Sequence, residues 1–152
     1  MIAFARTAQA ARARQSKAAL LPIARSEADR VSLQVHVALD AMRRKRGNLD
    51  TARTLCQVMI VTGLLVEAGY GDATFKQMQE AESILFDAFN RGRHSDVWML
   101  EEEEFLHFAT IVTTYDHQMR RAPLAAIIEA GNRLDRFRAG ESFDQMAYRR
   151  RA

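Results

Sequence analysis

Apolar residues recur three and four positions apart along nearly the whole chain, and the few Gly and Pro fall between the periodic runs. This pattern predicts helices throughout and no strand pair. A first helix is expected over roughly residues 4–20, ending before Pro22, with an apolar face built mostly of Ala. Ser26, followed three residues later by Asp29, resembles a capping box. Val31, Val35, Ala38 and Met42 continue from it at helical spacing to about Lys45, and Gly47-Asn48 is the stop. Asn48 or Asp50 can cap a third helix, which carries Ala52, Leu55, Cys56, Met59, Ile60, Leu64 and Val66 and ends at Gly69-Tyr70-Gly71. Between Leu55 and Val66 almost no polar face is left, so this helix is expected at the centre of the molecule.

Asp72 or Thr74 opens a fourth helix with the stripe Phe75, Met78, Ala81, Leu85 and Phe89. Arg91-Gly92 is expected to close it, with residues 93–96 as a loop. The run Glu101 to Glu104 suits the positive end of a fifth helix, which continues through Phe105, Phe108, Ile111, Val112, Tyr115 and Met119 to Arg120-Arg121 at its negative end. Pro123 fits the first turn of a sixth, with Leu124, Ile127, Ile128, Leu134 and Phe137 inward and Gly140 after its end. The connections are short, as in antiparallel neighbours. The expected fold is an all-α, single-domain bundle of five or six helices around a central apolar helix at about 50–68. Residues 1–21 form a basic N-terminal helix or arm, 22–140 the helical core, and 141–152 a loose basic tail containing Arg149 to Arg151.

A chain of 152 residues, 48% of them hydrophobic, can bury a sufficient core without a disulfide or metal staple. Its single cysteine, Cys56, excludes an intrachain disulfide and a paired-cysteine zinc framework, and a reducing cytoplasm is the expected compartment. The most apolar stretch, Val58 to Val66, is shorter than the roughly 18 residues that span a bilayer, so no membrane partner is expected. The acid-free, Ala- and Arg-rich opening is compositionally similar to an organellar transit segment. The same bias runs through the whole chain and suits a basic helical arm of a bacterial protein.

Charge divides the chain into three parts: residues 1–71 carry a net +6, residues 72–104 a net −6 and residues 105–152 a net +3. Such a division gives either one polarised surface or ends that cancel by folding onto each other. Two basic clusters stand out, Arg12, Arg14 and Lys17 in the first helix and Arg43, Arg44, Lys45 and Arg46 at the end of the second. Both could hold the phosphates of a nucleic-acid backbone, which needs charge but no base specificity. The second cluster is also what the negative end of a helix attracts. No aromatic residue interleaves either, so single-strand stacking is not expected.

Ala38-Leu39-Asp40, Arg46-Gly47-Asn48, Ala52 and Tyr70-Gly71 together resemble the helix-turn-helix of the Fis family of bacterial nucleoid proteins over about residues 38–71. The resemblance implies a dimeric transcriptional regulator with Arg46 and Asn48 near the phosphates or the turn. The chain carries Gln57-Val58 where the family has Gly-Ile between its two helices. Ile60, Leu64, Leu65 and Val66 stand where the family's Arg and Lys meet DNA, with Thr62 alone retained. With those departures the segment reads as a buried core helix that shares a Gly-Asn turn.

Other chemistry is sparse. Glu104-x-x-His107 is half of a di-iron carboxylate motif, and the chain has no second copy, so no metal or other cofactor is expected. Asp116 and His117 are adjacent and diverge on a helix, giving a surface pair. Cys56 lies in the most apolar helix and reads as an inert thiol. No catalytic motif is present, and a non-enzyme is expected. Trp98 either packs the loop before the fifth helix onto the core or anchors an interface together with the acidic edge Glu101, Glu102, Glu103 and Glu104. Two functions follow: a regulatory protein that associates with DNA through backbone contacts, or a helical module that binds itself or another protein.

Overall fold

In a computed structural model, which describes the backbone from Ile2 to Ala139 and side chains for Ala10 and from Arg12 onward, the chain folds into six helices. The tail with Arg149 to Arg151 lies outside the described residues. The helices are α1 (Ile2–Leu20), α2 (Arg25–Arg43), α3 (Leu49–Glu67), α4 (Phe75–Ser95), α5 (Glu102–Arg121) and α6 (Leu124–Arg138), and no strand occurs among the described residues. α3 is the hub, packed against α2, α4, α5 and α6. Leu55, Met59 and Leu65 of α3 are fully buried with Met42, Met78, Phe108, Ile111 and Val112 of its neighbours. By length and composition α3 could cross a membrane, yet here its apolar surface is the centre of the bundle. Ile60, Leu64 and Leu65, which the Fis resemblance would turn toward DNA, are buried in that centre. Exposing them would require the bundle to open.

Two of the expected alternatives at helix starts are resolved. Asn48 caps α3 by accepting from the Thr51 N–H at 2.9 Å, and the Thr51 hydroxyl accepts from the Asn48 N–H at 2.8 Å. Thr74 caps α4 in the same reciprocal way with Gln77. The box expected from Ser26 and Asp29 does not form. α2 begins at Arg25 after Ala24, whose carbonyl takes the N–H groups of Glu27 and Ala28, so Ser26 is already inside the first turn. Asp29 instead reaches Arg120 of α5 at 3.4 Å.

α4 does not stop at Gly92 but runs on to Ser95, with Asp96 as a left-handed cap at φ 55°. Gly92 is in the helix because Trp98 folds back over it: a Cβ there would sit 2.3 Å from the indole. The glycine that looked like a terminator makes room for a ring. On α6, Ile128 faces solvent and not the core as expected. Ala130 and Leu134 set the buried stripe, and Ile128 lies one residue beyond half-buried Ile127, about 100° around the helix. The Leu21 carbonyl accepts from the Leu124 N–H at 2.8 Å, so the α1–α2 link is tied to the start of α6.

Candidate functional site

The basic and acidic runs meet at one end of the bundle. Gly47 N–H donates to the Trp98 carbonyl at 3.2 Å and Leu100 N–H to the Met42 carbonyl at 3.0 Å, which fixes the α2–α3 turn against the segment leading into α5. Arg43 through Arg46 therefore lie beside Glu101 through Glu104. Arg43 donates to Glu102 at 3.1 Å, and its guanidinium stacks 4.4 Å from the centre of the Phe105 ring. Arg44 pairs with Asp40 at 2.8 Å. Lys45, at φ 59°, and Arg46 are exposed and have no ion pair among the described residues. Half of this cluster is thus neutralised within the fold, which weakens the local field a phosphate would meet.

Trp98 is no exposed anchor. It is 8% exposed, packs edge-on against Phe89 with ring centres 5.7 Å apart, and directs its indole N–H to Asp96 at 3.3 Å. Glu104 likewise leaves the acidic edge. Its carboxylate takes both guanidinium ends of Arg91, at 2.6 and 3.2 Å, and the Glu101 N–H at 2.8 Å. Arg91 adds a bond to the Met99 carbonyl at 3.0 Å. Only Glu101, Glu102 and Glu103 remain as an exposed acidic face. His107, three residues on, turns toward Glu80 at 3.4 Å, so the two halves of Glu104-x-x-His107 serve different partners. No group of three metal-ligating side chains forms among the described residues.

The described part of helix α1 is largely exposed. Ala10 and every residue from Arg12 to Ala18 face solvent, and α1 meets the rest of the fold chiefly at α6. Arg14 and Lys17 share one side of it, while Arg12 points well away from both. Its end lies at the start of α2, about 28 Å, or one helix length, from Arg43 to Arg46. The two basic clusters do not make one surface there. The side chains of Leu20 and Leu21, where α1 ends, and of Leu33 and Val37, successive neighbours on the outer face of α2, are 74%, 60%, 65% and 61% exposed.

Polar residues inside the bundle were not legible as such from adjacency. Asp116 is not a surface group: it turns into the α2–α5 seam, where it accepts from the Ser32 hydroxyl at 2.6 Å and faces His36 Nε2 at 2.7 Å. Ser32 and His36 both address the carboxylate, not each other, so the trio staples two helices and does not make a nucleophile with its base. Gln118, 2% exposed, donates to the Thr62 carbonyl at 3.1 Å and the Tyr70 carbonyl at 2.7 Å. The signal for both lay in register, since Ser32 and Gln118 occupy core-facing positions of their helices (Ala28–Ser32–Val35 and Ile111–Tyr115–Gln118). Cys56 is half-buried, and burial pushes its thiol pKa up, with a smaller contribution from Glu82 in the same direction. A thiol so placed stays protonated near neutrality and is a poor nucleophile.

No protein-family model, curated protein or solved structure matches the chain.

Proposed function

We propose that this protein is a non-enzymatic helical interaction module that pairs with a second copy of itself through α1 and the outer face of α2. The observation that carries the reading is the four aliphatic side chains, Leu20, Leu21, Leu33 and Val37, more than half exposed at the end of α1, in the link and on the outer face of α2. Holding phosphates calls for charge alone. An aliphatic centre with charged residues around it is what a protein interface uses. Arg14 and Lys17, on one side of α1, supply the basic part, and the exposed Glu101 and Glu103 of the other copy supply the complement.

Sedimentation velocity of the full chain over a range of concentrations tests this. A monomer–dimer equilibrium is expected, shifted to monomer in Leu33→Glu/Val37→Glu, whose positions are exposed and leave the core intact. A wild-type chain that stays monomeric at every concentration would overturn the reading.

A second reading, contact with DNA phosphates, draws on the absence of any acidic residue in α1. Binding of a generic duplex across a salt series, with and without residues 1–17, separates the two. An arm that holds phosphates gives a steep salt slope that flattens on truncation.

A further inference from the structure

At the opposite end of the bundle from the paired charges, the α3–α4 turn and the last two turns of α5 enclose a pocket of about 310 Å³. One wall is the turn Gly69-Tyr70-Gly71-Asp72, and the other is Thr114, His117, Gln118 and Arg121. The volume is at the lower end of what holds a small molecule. The wall formed by the turn is held in place from within. Gln118, buried under it, donates to the Tyr70 carbonyl and ties it to the Thr62 carbonyl of α3. Gly69 and Gly71 take φ values of 96° and 103°, and a Cβ at Gly71 would lie 2.9 Å from Gln118 Nε2 and 3.1 Å from the Thr114 methyl. The turn can therefore sit directly on α5 only with glycine at that position.

The charges around the pocket are of both signs and do not neutralise each other. Asp72 and Arg121 both line it, yet no ion pair joins them, and neither has another ion-pair partner among the described residues. At the other end of the molecule, by comparison, Arg43, Arg44 and Arg91 each have a carboxylate within 3.1 Å, while Lys45 and Arg46 have none among the described residues. Asp72 and Arg121 are exposed and stand on the two walls of this pocket, so a ligand that carries both complements would pair with each. His117, exposed at the rim and without an ion-pair partner among the described residues, adds a hydrogen-bonding group beside Arg121. Half-buried Tyr70 offers an apolar surface for the rest of the ligand.

We propose that this pocket binds a small zwitterion, a free α-amino acid or a close analogue, with Arg121 taking its carboxylate and Asp72 its ammonium group. Arg121 suits a carboxylate because its planar donors match the two oxygens. The site is independent of self-association and of any nucleic acid, so it stands or falls separately.

The test is a ¹⁵N–¹H NMR titration of the full chain with each of the twenty free L-amino acids at millimolar concentration, alongside acetate alone and methylamine alone. At least one amino acid is expected to shift the signals of Gly69, Gly71, Thr114, His117 and Gln118 in a saturable way, with neither half-molecule doing so at the same concentration. Arg121→Gln and Asp72→Asn, both at surface positions, are each expected to weaken binding about tenfold or more. Their unliganded spectra report whether they fold. Failure of all twenty to shift these signals overturns the proposal. So does acetate binding as tightly as the best amino acid, because the pocket would then be a plain anion site. Unchanged affinity in both folded variants overturns it as well.

Discussion

Glu104 shows how much one side chain can hold. Its carboxylate neutralises Arg91 at the end of α4 and accepts the Glu101 N–H at the start of α5. Both partners of the ion pair are only partly exposed, at 30% and 18%, so removing the charge leaves a half-desolvated guanidinium without compensation. Glu104→Gln is expected to cost about 2 kcal/mol in urea unfolding, while Glu103→Gln, at an exposed position, should stay within about 0.5 kcal/mol. Equal effects of the two would show that the pair with Arg91 contributes nothing. Cys56 sets a second expectation, this time in pH. Burial raises its pKa in the folded chain, so as the pH climbs past about 8.5 the unfolded chain releases that proton first. The folded state's advantage is whole below that pH and is lost above it. Tyr115, raised by burial as well, adds a loss that begins nearer pH 10. Urea midpoints of the wild type should therefore fall from about pH 8.5 upward, and Cys56→Ser should delay the fall. A variant with an unchanged profile would remove the thiol from the account.

Among the elements, α3 shows what a sequence reveals most directly. A run of apolar residues on nearly every side has only one comfortable place in a bundle, and its ends carry explicit chemistry in Asn48 and Gly69. Replacing the cap, Asn48→Ala, is expected to cost about 1 kcal/mol by thermal or urea unfolding. A neutral result would mean that the Thr51 hydroxyl alone satisfies the turn. The end of α4 was hidden for the opposite reason. Gly92 serves a ring six residues further on, and no local rule separates a glycine that ends a helix from one that admits a tryptophan. The Asp116 seam was hidden too, because its partners Ser32 and His36 lie 84 and 80 residues away in sequence. Sequence periodicity found the faces of α2 and α5. It could not tell which polar residue on one would meet which on the other. The pocket at the α3–α4 turn depends on the same kind of meeting, between a turn legible from its glycines and a helix legible from its stripe.

On the scale of the whole molecule, charge is sorted by end. Basic and acidic runs that are about 55 residues apart in sequence come together where α2 stops and α5 starts, joined by the pair of Arg43 with Glu102. Lys45 and Arg46 stay without an ion pair there, as do the described cations of the arm and the charges at the small pocket, among the described residues. The hydrogen bond from Leu124 to the Leu21 carbonyl then decides where the arm ends. From Arg12 to Ala18 the side chains of α1 face solvent, but the link itself finishes the first turn of α6. Limited trypsin digestion should reveal this as two boundaries. Cleavage after Lys17 is expected to yield a trimmed chain that melts within a few degrees of the intact one. Cleavage after Arg25 would strip Leu124 of its acceptor and start α6 unravelling, so the fragment cut there should be degraded further and not accumulate. The chain thus has a detachable piece and a fixed one, and the line between them is drawn by a carbonyl and not by the end of a helix.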